Sequence, residues 1–200
     1  MPLPRFQKLS EDKRRVILDA ARQEFGAMGF EAASYNRIIA ATGISKGAMY
    51  YYFADKTDLY LAVIEDVLDR IEVAATAVGP IAATDAEGFW AELLERALGL
   101  HEVIAEGDAN LAAFGDRLYQ SGVGVEHMMA RLTTWITSLL KLGQERNAVR
   151  SDLPLDLLAH AATGLMTSLD RYFLQVGADI KPEAGAQAIG LCRDLLFPRS

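Results

Sequence analysis

Apolar residues recur along this 200-residue chain in steps of three and four. Sustained period-two alternation is absent, and no Asn-Gly or Asp-Gly pair marks a hairpin, so the pattern predicts an all-α fold. Ile17, Ala20, Ala21 and Phe25 set a first helix over about residues 11–28, and Gly29 is suited to end it. Ser34 caps a short second helix carrying Ile38, Ile39 and Ala41, which Gly43 closes. Ser45 opens a third helix. Asp55, with Asp58 three residues on, opens a long fourth whose stripe is Leu59, Val63, Val67, Ile71 and Ala74, ending at Gly79-Pro80.

Beyond it, Thr84-x-x-Glu87 reads as a capping box for a helix bearing Trp90, Leu93, Ala97, His101 and Ile104. Leu111, Phe114 and Leu118 mark a shorter helix, and "QSGVGV" is a loop. Val125, Met128, Leu132, Trp135, Leu139 and Leu142 give the next helix; Ser151-Asp152 and Pro154 start another. That helix has two faces. Leu155, Leu158, Ala162, Leu165, Leu169, Tyr172 and Val176 form a large-residue stripe, while Leu157, Ala161, Gly164 and Ser168 form a small-residue stripe opposite. In the last helix Ala184, Ala188, Leu191 and Leu195 sit beside Ile189, Cys192 and Leu196, so most sides are apolar. Such a helix needs cover on most sides, which predicts a homodimer through Leu157, Ala161, Gly164, Ser168, Leu191 and Leu195.

The third helix contains the run Tyr50, Tyr51, Tyr52 and Phe53. Successive helical residues point about 100° apart, so these four rings cannot share one core. Met49 and Phe53 make the inward stripe and Ile44 plugs the preceding turn; Gly47 and Tyr51 face outward with Tyr50 and Tyr52 at their flanks. Two short helices joined by a turn at Gly43 have the spacing of a helix-turn-helix, whose second member enters the DNA major groove. Tyrosine hydroxyls donate to phosphates and their rings pack on sugars and thymine methyls. Gly47 admits a close backbone approach, Lys46 reaches a guanine acceptor, and Lys56 is placed for a phosphate.

Charge supports this division. Residues 1–58 hold nine Lys/Arg against seven Asp/Glu, whereas residues 59–200 hold eleven against twenty, within an overall net charge of −7. A mildly basic head suits phosphates and an acidic body repels them. No apolar run approaches the roughly 18 residues of a membrane span, and "MPLPRFQKLSEDKRR" has no apolar signal core, so a cytoplasmic protein without membrane association is expected. The single cysteine, Cys192, forms no intrachain disulfide.

From Ile17 to Ile64 the chain resembles the helix-turn-helix region of the tetracycline-repressor-like (TetR) regulators. The resemblance lies in Phe25-x-x-x-Gly29-Phe30, in Ile39-Ala40 followed by Gly43-Ile44-Ser45-Lys46-Gly47, in Tyr50-x-x-Phe53, and in Lys56 two residues before Asp58. Met49 stands where a branched aliphatic is usual and Tyr52 where histidine is frequent. The resemblance implies about nine helices in two parts, a helix-turn-helix head over 1–58 and a ligand-binding and dimerisation bundle over 59–200. It also implies a homodimer that binds a palindromic double-stranded operator as a repressor and leaves it when a small, largely apolar effector enters the bundle. By position it carries DNA contact onto Ser34, Lys46, Gly47, Tyr50, Tyr51, Tyr52 and Lys56.

Trp90, His101, Phe114, Met128, Trp135 and Met166 are candidates to line an effector pocket, since such sites favour aromatics and adaptable methionines. His101, His127 and His160 lie on separate helices without metal-ligand spacing, so neither metal nor cofactor is expected. The chain has no nucleophile elbow, Cys/His pair or carboxylate dyad, and an enzyme is not expected. The competing function is a dimeric helical carrier, or an adaptor whose head docks on protein.

Overall fold

Side-chain caps fix where the helices begin. The computed structural model describes residues 4–77, 79–107, 114–115, 117–119, 121–176 and 183–197, with the side chains of 98–107, 174 and 175 outside that description. The chain opens on a 3-10 turn, Phe6–Lys8, followed by α1 (Glu11–Ala32), α2 (Tyr35–Thr42), α3 (Lys46–Tyr52) and α4 (Lys56–Thr76). The Ser34 and Ser45 hydroxyls accept the N–H groups of Arg37 and Ala48 at 3.3 and 3.2 Å, as N-caps do. Asp55 accepts the Asp58 N–H at 2.8 Å, and Asp58 reaches back to the Ala54 N–H at 3.1 Å. Gly43 ends α2 with φ 66°, a left-handed conformation in which a side chain is strained.

Two helix ends differ from the expected ones. Gly29 interrupts α1 with φ 71° and ψ 168°, but the helix resumes and runs to Ala32. Only glycine takes that geometry readily, so residue 29 makes a kink and not a stop. The next helix, α5 (Ala86–Gly107), is capped by Asp85, whose carboxylate accepts the Gly88 N–H at 2.8 Å. Thr84 is one residue too early for that bond.

The chain continues through α6 (Val125–Glu145), α7 (Leu155–Val176) and α8 (Ala184–Leu196). Residues 114, 115, 117–119 and 121 are also helical, in the place expected for the shorter helix; Leu111 lies outside the described residues. No strand occurs among the described residues, and the fold is all-α.

Two compact units divide the chain: 1–72 with 104–128, and 73–103 with 129–200. In the first, Ile17, Ala21, Phe25, Ile38, Met49, Phe53, Leu59 and Tyr60 are fully buried. The Tyr60 ring lies within 4.8 Å of Phe25, 4.9 Å of Phe30 and 5.4 Å of Phe114, and its hydroxyl meets Ser121 Oγ at 3.2 Å. Arg22 on α1, also buried, pairs with Asp19 at 2.7 Å and with Asp66 of α4 at 3.3 Å. The first unit thus has both an aromatic core and an ionic tie between α1 and α4.

In the second unit Ile81, Phe89, Trp90, Ile136, Leu140, Val149, Leu158, Ala162 and Leu196 form one core. Trp90 donates its indole N–H to the Ala148 carbonyl at 3.0 Å, which satisfies its polar atom inside that core. The Arg150 N–H donates to the Leu196 carbonyl at 2.7 Å, tying the end of α8 to the segment before α7.

Candidate nucleic-acid interface

α3 is held by its inward stripe and offers the rest to solvent. Met49 and Phe53 are fully buried, whereas Tyr50 and Tyr51 are 47% and 51% exposed and Tyr52 is half-buried. Lys46 and Gly47 stand exposed at the start of the helix. A Cβ added at Gly47 would meet nothing within 4 Å, so the first turn of α3 presents open backbone. Lys46 has no hydrogen-bond or ion-pair partner among the described residues.

Tyr50 is steadied from α2. Its ring packs edge-on against Tyr35 at 5.3 Å. The Tyr35 hydroxyl is buried without a hydrogen-bond partner, and burial chiefly, with Tyr50, Asp55 and Asp58 nearby, pushes its pKa up to about 12. Tyr35 thus remains a neutral prop. α2 itself is bound to α1 by Glu24, which accepts from Arg37 Nη2 at 2.6 Å, Arg37 Nε at 2.9 Å and the Ser34 N–H at 2.8 Å. The Arg37 hydrogen bonds are the largest cause holding the Glu24 carboxyl below its usual pKa; burial opposes them. Half-buried Ser34 uses its hydroxyl oxygen as the α2 cap and retains a hydroxyl proton to donate.

Lys56 does something other than the position suggested. Its ammonium donates to the carbonyls of Phe30 at 2.7 Å, Glu31 at 3.1 Å and Ala33 at 3.2 Å, and lies 4.7 Å from the Phe30 ring centre. All three N–H donors are spent on the C-terminal end of α1, where a helix presents unpaired carbonyls and partial negative charge. In this geometry Lys56 clamps α4 to α1.

The sequence reading also missed the lead before α1. Phe6 is buried against Phe53 at 4.8 Å, and the Arg5 guanidinium lies 4.3 Å above the Tyr51 ring. Phe6, the one aromatic residue before α1, was the available signal. Beside this lead an open groove of about 450 Å³ is lined by Leu9, Asp12, Lys13, Val16, Thr42, Ile44, Ala48 and Tyr52.

None of the effector-pocket candidates lines that groove. Trp90 is core, Trp135 is half-buried and Met166 is 36% exposed, all in the second unit; buried Phe114 and Met128 belong to the first. The His101 side chain lies outside the described residues. His127 Nε2 contacts the Glu65 carboxylate, and His160 Nδ1 sits 2.8 Å from the Asp156 carbonyl. Among the described residues no group of three His, Cys, Asp or Glu is arranged to hold a metal ion. Of the expected interface residues, Leu157, Leu191 and Leu195 are 54%, 55% and 41% exposed, Ala161 and Ser168 are exposed, and Gly164 is half-buried. No helix among the described residues is long and apolar enough to cross a membrane.

Comparison with known proteins agrees with this geometry. The family model for bacterial regulatory proteins of the tetR family matches residues 17–63, which span most of α1, the α2–α3 pair and the first eight residues of α4. An HTH-type transcriptional repressor of Mycobacterium tuberculosis is 31% identical over 162 residues, covering 76% of this chain and 79% of the relative. Among solved structures, a tetR regulator of Streptomyces fradiae superposes with a TM-score of 0.70 at 21% identity, over 95% of this chain and 89% of the other. A gamma-butyrolactone receptor superposes at 0.55 with 22% identity, over 92% and 96%. At such identities the structural matches speak for the fold alone.

Proposed function

Since the chain belongs to the tetR family of bacterial regulatory proteins and is a DNA-binding transcriptional regulator, we propose that it is a dimeric repressor of a palindromic operator, released by a small effector. The DNA-binding part is residues 1–58, with Lys46, Gly47, Tyr50, Tyr51, Tyr52 and Ser34 at the duplex. Residues 59–200 bind the effector and the second copy. The observation that carries this reading is the outer face of α3: two half-exposed tyrosines beside an exposed lysine and an open glycine, on a helix anchored by Met49 and Phe53. Hydroxyls and rings position the protein on the backbone, and Lys46 reads a base edge. Lys56 supports the head from behind and leaves the phosphate contacts to others. The work is done in the cytoplasm, where such a regulator meets its DNA.

A homodimer through α7 and α8 is supported by the exposed leucines of both helices, which an isolated protomer would leave in water. A small-molecule effector is what the family resemblance implies for the part after residue 58. Linkage then requires that effector and operator weaken one another by the same factor, commonly about 5- to 150-fold.

Selection from a random duplex pool with the purified protein tests the reading. The expected product is a two-fold symmetric site, bound with a logarithmic salt slope of about −0.9 per neutralised phosphate. Recovery of no preferred sequence, with a flat salt response, would leave the carrier or adaptor function. Titrating compounds against Trp135 fluorescence with and without the selected duplex then tests the switch. Equal affinities in both conditions would remove it.

A further inference from the structure

Arg5 lies outside every motif considered above, yet it touches the outermost tyrosine of α3. Its guanidinium stands 4.3 Å above the Tyr51 ring, and that ring is half exposed. A guanidinium stacked on an aromatic face keeps its N–H donors free along the edge of the plane. No hydrogen bond or ion pair engages those donors among the described residues.

The backbone that carries Arg5 is anchored rather than loose. Phe6, its neighbour, is 3% exposed and packs on Phe53 at 4.8 Å. The Lys8 and Leu9 N–H groups close the 3-10 turn on the Arg5 and Phe6 carbonyls at 3.2 and 3.1 Å. Arg14 Nη1 donates to Gln7 Oε1 at 3.1 Å, which ties the turn to α1. Phe53 is the residue that ends α3. The turn and the recognition helix are therefore fastened to each other at both a buried ring pair and an exposed cation–ring pair.

We propose that Arg5 is a further DNA contact, gripping one backbone phosphate with its free N–H edge. The 3-10 turn thereby serves as a docking element beside α2 and α3. The inference rests on the DNA-binding reading: if Tyr51 faces the duplex, the guanidinium stacked on it does too. Two properties favour a phosphate. An arginine fork matches two phosphate oxygens, and a side chain already held by a ring and an anchored turn loses little freedom on binding.

The test uses the full-length protein, the duplex recovered by selection, and an unrelated duplex of equal length. Arg5→Ala is expected to flatten the logarithmic salt slope by about 0.9 for each copy bound, equivalent to roughly eightfold weaker binding per copy at 0.1 M salt. The loss should be the same on both duplexes, because a phosphate carries no sequence. Arg5→Lys, which keeps the charge, is expected to restore the slope. Thermal melting of both variants should match wild type, since Phe6 still anchors the turn. Wild-type slope and affinity in Arg5→Ala would overturn this inference alone. So would weaker binding at an unchanged slope, which would make Arg5 a prop for Tyr51. Failure of the wild-type protein to bind any duplex would overturn the DNA reading and this inference with it.

Discussion

Lysines 46 and 56 have the same charge and similar places in the motif, and the structure separates them. Lys46, at the start of α3, has no partner among the described residues, whereas the Lys56 ammonium is engaged by three carbonyls from the end of α1. Hydrogen bonds to a charged donor contribute about 1.5–3 kcal/mol each when shielded, less when water competes. Lys56→Met, which keeps the stem over Phe30, is therefore expected to lower unfolding stability by about 2 kcal/mol in urea denaturation. Its salt slope for DNA should remain that of wild type. A slope shallower by about 0.9 per copy at unchanged stability would return Lys56 to the phosphate contacts. Spacing along the chain revealed that a lysine belongs at residue 56. It did not reveal that the chain turns back to place three carbonyls around it.

At the scale of elements, α2 stays on α1 because one carboxylate, Glu24, serves both Arg37 and the Ser34 N–H. Its folded pKa lies below the ordinary 4.5. A depressed carboxyl contributes stability that is present above its unfolded pKa and is lost as pH falls through the folded value. Glu24→Gln should cost about 1 kcal/mol at pH 7, a value reduced by the exposure of Arg37. The gap between variant and wild type should close below about pH 4.5, the group's unperturbed value. Denaturation curves at pH 7, 5 and 3 measure it, and a gap independent of pH would show that Glu24 acts by packing alone. The helices themselves were legible, since caps at Ser34, Ser45 and Asp55 are local events. The Asp85 cap and the continuation of α1 past Gly29 were missed because each turns on one residue of register.

For the whole molecule, the proposed homodimer rests on the exposed faces of α7 and α8. A Cβ at Gly164 would meet nothing within 4 Å of its own chain, and leucine favours helix over glycine by close to 1 kcal/mol. Gly164→Leu should therefore fold as a protomer. Against a second copy it would obstruct the small-residue face, so sedimentation is expected to give monomers, with operator binding greatly weakened because each half-site supplies only part of the contacts. A dimer of unchanged mass would move the interface off this face.

The sequence by itself determined the helical class, most helix limits, the inward pair Met49 and Phe53, and the outward tyrosines. These follow from periodicity and capping, which act between residues within about four positions of one another. Tertiary structure alone decided the partners of Lys56, the packing of Phe6 and Arg5 on α3, and the placing of Trp90 in a core with its N–H bonded to Ala148. Each joins residues between 23 and 58 positions apart, and no local preference specifies which distant carbonyl or ring a side chain will meet. Contacts of that kind exist only once the helices have packed.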